Sequence, residues 1–277
     1  MLPRARTPAP GALAEDPVVP LVPRRRILGL PFGDARSMRR GGRADTIGSR
    51  PYQPGDDPRR IDRHASARLS SVKDDDELIV RQQLAEERLG VGLYVDPSPT
   101  MALHPEALPW LHKPALVADV ERIVTASAHR TRAHLVRLER LPVVGPVRNL
   151  GTGSIVFVVS DFFAFPTEEV WADAAARNWD LVPVVVQDPT WEQSFPEVSG
   201  VCLPLADAVG RRRPVLLTRA EARARRAENE ARLATILERL EELALEPVLL
   251  GVADLDEVYD ALLAWADARR SALAWSG

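Results

Sequence analysis

Four residues have the types and spacing of a hard-cation site. Asp96, Ser98 and Thr100 alternate in the string Asp96-Pro97-Ser98-Pro99-Thr100-Met101 and offer a carboxylate and two hydroxyls. Asp161, preceded by Ser160, offers a second carboxylate from another stretch of the chain. Oxygen donors of this kind suit Mg²⁺ or Mn²⁺ rather than zinc. Such a site holds its ion partly through water and leaves a position open for a carboxylate from outside. The same residues also have a plainer use. An Asp at a strand end caps the next helix or starts a turn, and Ser and Thr do likewise.

The elements that must position these residues are short and apolar. Residues 90–96 read GVGLYVD, 154–161 SIVFVVSD, 181–188 LVPVVVQD and 247–254 PVLLGVAD. Each is a strand of the kind buried on both faces of a parallel sheet. The first three end in Asp96, Asp161 and Asp188. Helical stretches lie at 115–128, 168–178, 219–245 and 254–270. The third carries Leu233, Ile236, Leu237, Leu240, Leu243 and Ala244 at steps of three and four, and the fourth carries Leu255, Val258, Leu262, Leu263 and Ala266. Strand and helix alternate, so the expected class is α/β, with a mostly parallel sheet and helices on both faces. Sites in such sheets form outside the carboxyl ends of the strands. Residues 200–218 read differently, as two apolar runs around a charged turn, and predict an inserted β-hairpin. Cys202 falls in that hairpin and is expected to be a buried, inert thiol.

Three regions follow. Residues 1–26 hold six prolines and end in Arg24-Arg25-Arg26, which predicts a flexible or polyproline-like arm laid on the surface, or else a docking segment for a partner. Residues 27–88 are charged and rich in turns and predict a small irregular subdomain with short strands. Residues 89–277 form the α/β domain. The run from Asp74 to Glu77 reads as a solvated turn, or else as an acidic docking patch.

Composition sets outer limits. The chain has 277 residues, enough for one large or two small domains. With 36 basic and 39 acidic residues its net charge is −3, which argues against nucleic-acid binding through bulk charge. A single cysteine excludes an intramolecular disulfide and a multi-cysteine zinc site. No apolar run reaches the ~18 residues of a membrane span. The first residues contain no signal-type apolar stretch, so a cytoplasmic location is expected. Phosphate-binding loops, dinucleotide fingerprints and nucleophile elbows are missing. Only Lys73 and Lys113 are lysines; the other basic residues are arginine.

An enzyme alternative is a haloacid-dehalogenase-like phosphatase with Asp96 as nucleophile. The strings DPSPT and VFVVS come close to its first two motifs. The position of its general acid, however, holds Ser98, whose hydroxyl cannot protonate a leaving group usefully near neutral pH.

A further stretch is more specific. Arg50-Pro51-Tyr52-Gln53-Pro54-Gly55-Asp56-Asp57-Pro58-Arg59-Arg60-Ile61-Asp62, followed by Ala65-Ser66-Ala67-Arg68, closely resembles the signature of the domain of unknown function 58 family. The strand with Asp96 to Met101, the helix from Lys113 to Ala128, the Ser160-Asp161-Phe162-Phe163 element and the final strand and helix from Pro247 to Arg270 also fit, so the resemblance covers roughly residues 30–270. It implies a bacterial or archaeal protein with a von Willebrand factor A-like core and a metal-ion-dependent adhesion site. It also implies a non-enzymatic protein-binding adaptor that acts with a MoxR-type AAA+ ATPase and a client protein. The metal ligands implied are Asp96, Ser98, Thr100 and Asp161. Arg63 stands where the cassette has Trp, and Thr100 where the metal loop has Ser. The span from Asp96 to Asp161 has room for one strand, about His134 to Leu138, and lacks the elements that carry the family's threonine ligand. Thr152 is the nearest substitute. Two versions of the site follow, one that holds an ion and a degenerate one kept for shape or partner contact. The cassette's Asp and Arg residues are expected to brace the subdomain against the sheet domain through a dense charged network, or else to form part of the partner surface.

Overall fold

The computed structural model describes residues 16–24, 46–51, 78–83, 89–102, 112–206 and 211–275. They fall in two units, one of 46–51 with 78–83, the other of 16–24 with the residues from Leu89 on. In the first unit, strands β1 (Thr46–Pro51) and β2 (Ile79–Gln83) pair antiparallel, with Pro51 opposite Ile79 and a register shift near Thr46. They belong to the region expected to carry short strands. The cassette from Tyr52 to Arg68 and the run from Asp74 to Glu77 lie outside the described residues.

The second unit is built on five parallel strands: β3 (Gly90–Val95), β4 (His134–Leu138), β5 (Ile155–Ser160), β6 (Asp180–Val186) and, after an antiparallel hairpin, β9 (Val248–Leu250). The hairpin strands are β7 (Val201–Ala206) and β8 (Arg212–Leu217). The sheet order is β4-β3-β5-β6-β9. Counted along the parallel strands this is 2-1-3-4-5, a doubly wound order whose direction of winding reverses between β3 and β5. Ile155, Val156, Phe157 and Val159 are fully buried, as a strand covered on both faces requires. Burying each such side chain contributes about 2 kcal/mol. Gly90 lets β3 approach its neighbour, since a Cβ there would lie 2.3 Å from Ser154 Oγ and 2.5 Å from the Asn149 carbonyl oxygen.

Among the described residues four helices cover the sheet: α1 (Lys113–Arg130), α2 (Glu168–Ala176), α3 (Arg219–Glu242) and α4 (Leu255–Trp275). Alternation along β5 shows the two faces. Val156 and Val158 pack in one cluster with Trp171 and Ala174 of α2 and with Ile236 and Leu240 of α3. Phe157 points the other way and meets Trp265 of α4 edge-on, at 5.5 Å between ring centroids. On α4, Val258, Leu262, Trp265, Ala266 and Arg269 are buried at steps of three and four. The buried stripe of α3 is narrower than its sequence pattern. Ile236 and Leu240 are buried there, but Leu243 is exposed because the helix ends beside it. Thr218 caps α3, its hydroxyl accepting the Glu221 N–H at 3.1 Å.

Two local expectations change. Residues 16–24, within the proline-rich arm, form a strap outside any helix or strand, with Val19, Leu21 and Val22 buried. Apolar residues between the prolines give this stretch surface to bury. The Val19 N–H donates to Ser127 Oγ at 2.9 Å, and the Arg24 N–H to Asp180 Oδ2 at 2.8 Å. Arg269 binds both oxygens of Asp180 and donates to the Val22 carbonyl, so one buried guanidinium joins α4, β6 and the strap. Cys202, expected to be buried, is exposed. A two-stranded hairpin packs only one face, and Cys202 pairs with Leu216, itself exposed, on the other.

Candidate functional site

The carboxyl ends of β3 and β5 lie side by side where the winding reverses, which is where open α/β sheets form their crevices. The peptide after β3 stays paired, the Asp96 N–H donating to the Val159 carbonyl at 2.9 Å. Beyond it, residues 99–102 form a single 3₁₀ turn that buries Met101 and leaves Pro97 and Pro99 exposed.

The strand-end acids share one local habit. Asp96 Oδ1 accepts the Ser98 N–H at 2.9 Å, and Asp161 Oδ1 accepts the Phe163 N–H at 3.1 Å. Asp188 Oδ1 accepts the N–H groups of Thr190 and Trp191 at 2.8 and 2.7 Å. Each carboxylate closes the turn that leaves its strand, a local bond favoured by Asp.

Their second oxygens differ. Asp96 Oδ2 accepts the Ser160 hydroxyl at 2.6 Å, a bond from β5 to the residue after β3. Ser160 Oγ in turn accepts the Phe162 N–H at 2.9 Å. That turn is tight, and Phe162 takes a left-handed backbone with φ of 55°. Its ring, 1% exposed, holds the turn down in the core. Asp161 Oδ2 meets the Lys113 ammonium at 3.0 Å. Ser98 and Thr100 bond to each other through their hydroxyls at 3.0 Å.

Lys113 is the unexpected member. It opens α1, yet is only 2% exposed and also bonds Glu192 Oε1 at 2.8 Å. Its ammonium lies 5.1 Å from the centre of the Phe163 ring. Glu192 Oε2 accepts the Asp188 N–H at 2.9 Å, so both of its oxygens are used. Burial pushes the Glu192 carboxyl above its ordinary range, and Lys113 opposes this. Gln187, the residue after β6, donates its side-chain N–H to the Asp161 carbonyl. Arg232 of α3 covers Phe163 at 4.4 Å and donates to the Glu192 carbonyl at 2.9 Å. Burial, with Asp96 as a smaller cause, also raises the Tyr94 phenol above its ordinary value.

Of the four residues expected as metal ligands, Asp96, Ser98 and Thr100 share one loop, and Ser160 joins that loop to β5. Asp161 instead turns one oxygen to Lys113. Thr152 precedes β5 and so stands at the opposite end of the sheet, with the length of β5, about 20 Å, between it and Asp161. The oxygen chemistry suits a hard cation, but each carboxylate oxygen of Asp96 and Asp161 already has a donor within the chain. As arranged, these residues do not fit a divalent ion. Among the described residues no three His, Cys, Asp or Glu side chains gather as a metal shell.

No family model, curated protein or solved structure matches the chain. Its geometry is therefore the ground for a functional reading. Among the described residues no helix is long and apolar enough to cross a membrane. Sequence reasoning did not single out Glu192, Gln187 or Arg232, and placed Lys113 only at the start of a helix. One signal was present: a lone lysine in the first turn of a helix opposes the helix dipole and calls for a fixed anion nearby.

Proposed function

We propose that this chain is a non-enzymatic protein-binding adaptor of the von Willebrand factor A-like kind, docking its partner at the carboxyl ends of β3 and β5. The observation that carries this reading is how the strand-end acids are used. Asp96 and Asp161 each give one oxygen to a backbone N–H and the other to a side chain that fixes the loop. Groups held this way shape a fixed surface, with the oxygens of Asp96 and Asp161 engaged in holding the loops. Rigid loops exposing Pro97, Pro99 and Ala164 suit recognition with little ordering cost.

The resemblance of the sequence to the domain of unknown function 58 family supplies the partner in this proposal, a MoxR-type AAA+ ATPase, with a client protein delivered to or matured by the pair. The phosphatase reading gains one observation, Ser160 beside Asp96, but Ser98 bonds Thr100 and supplies no general acid.

The test is capture of a purified MoxR-type ATPase from the same genome by this chain, alongside a generic phosphate-ester assay. Capture weakened by Pro99→Glu on the docking surface, with no turnover, is the expected result. Absence of capture, or turnover abolished by Asp96→Asn, overturns the proposal.

A further inference from the structure

Asp161 and Glu192 are 1% and 8% exposed at their side chains and meet the same ammonium, that of Lys113. Two carboxylates withdrawn from water need a cation between them. Where a cleft of this kind works with metal, a divalent ion supplies that charge. Here a side chain of the same chain does so.

The surroundings hold Lys113 in place. Its ammonium meets Asp161 Oδ2 and Glu192 Oε1 and lies over the Phe163 ring. The backbone of α1 is started independently, since His112 Nδ1 accepts the Ala115 N–H at 3.0 Å and proline follows Lys113 in the first turn. The lysine is thus not needed to begin the helix. It also lies at the helix end where the dipole disfavours a cation. Both points tie its burial to the two acids. The free ends of those acids are spent on the Phe163 and Asp188 N–H groups, which closes the network.

We infer that Lys113 is a tethered cation that replaces a divalent ion at this end of the sheet, so that the cleft is closed to metal and docks its partner without one. The consequence for docking rests on the adaptor reading; the exclusion of metal does not. A covalently attached charge has no dissociation constant to satisfy. It keeps the loops after β5 and β6 in one arrangement at any divalent-ion concentration.

The experiment is a Mn²⁺ titration of the full chain, followed by electron paramagnetic resonance of free Mn²⁺ and by thermal melts. It is run on the wild type, Asp161→Asn, Lys113→Ala and Lys113→Ala with Asp161→Asn. The wild type is expected to show no saturable binding and an unchanged Tm. Lys113→Ala is expected to gain one bound Mn²⁺, or a Tm that rises with Mn²⁺ if the variant is weakened, and Asp161→Asn in that background removes the gain. Saturable binding by the wild type that Asp161→Asn abolishes overturns the inference. So does a Lys113→Ala chain that gains neither binding nor stability from Mn²⁺. No partner is present in these measurements, so their failure is separate from a failure to capture the ATPase.

Discussion

Ser160 donates its hydroxyl to Asp96 Oδ2 at 2.6 Å, joining the carboxyl ends of two neighbouring parallel strands at the reversal of the sheet. Ser160 Oγ also accepts the N–H of Phe162, whose backbone is left-handed. Ser160→Ala therefore removes a bond to a carboxylate and leaves a buried N–H without its acceptor. The expected loss is about 2–3 kcal/mol of unfolding free energy, read from urea denaturation. A midpoint unchanged from wild type would show that the link contributes nothing.

Glu192 gives a pH signature. Burial raises its carboxyl above the ordinary range. A carboxyl raised on folding binds protons more tightly in the folded chain. The stability that follows is present in full below the unfolded value and is lost as pH rises through the folded one. Glu192→Gln removes this titration. The wild type should gain stability relative to the variant as pH falls from neutral towards the ordinary carboxyl range. Urea curves at a series of pH values read it, and a difference that stays flat with pH contradicts the expectation.

Arg269 should not be replaceable by lysine. Its guanidinium is 3% exposed at the side chain, binds both oxygens of Asp180 and reaches the Val22 carbonyl. Arg269→Ala leaves Asp180 buried without its ion-pair partner, at a cost of about 3–5 kcal/mol. Arg269→Lys restores charge but not the two-pronged contact and should recover only part of that. Hydrogen exchange at the Val19 amide should speed up in both variants as the strap loosens. Equal protection in wild type and Arg269→Ala would separate the strap from the ion pair.

Tyr94 reports on the neighbouring Asp96. Burial is the larger cause of its raised phenol and the Asp96 charge the smaller. Asp96→Asn should therefore lower the Tyr94 value while leaving it above that of a free tyrosine. Ultraviolet titration against the matching Tyr94→Phe background isolates the signal. No movement on removing the charge would argue that Asp96 does not act on the phenol.

Much of the fold is legible because burial on both faces leaves a local mark. The runs at 90–96, 154–161 and 181–188 become β3, β5 and β6, and the short strand expected near His134 to Leu138 is β4. The hairpin within 200–218 also follows from two apolar runs around a turn. What the sequence hides is pairing across distance. Lys113 and Asp161 lie 48 positions apart, and no periodicity marks them as partners. Composition noted that lysine is rare here, but not where its charge goes. The strand-end acids were visible as oxygen donors, yet the partners of those oxygens depend on which loops the sheet order brings together. Cys202 misled because a strand pattern does not tell a two-faced sheet from a hairpin packed on one side.

The contact between Arg269 and the Val22 carbonyl joins residues 247 positions apart. On a ribosome, the strap is made long before the guanidinium that holds it. Val19 can already meet Ser127 of α1, but the fastening at Val22 must wait until α4 has emerged. A contact of such long range is slow to form. The final fastening of the strap is thus placed among the last steps of folding, and truncating α4 before Arg269 should leave residues 16–24 more open to proteases and chaperones even if the sheet has already formed.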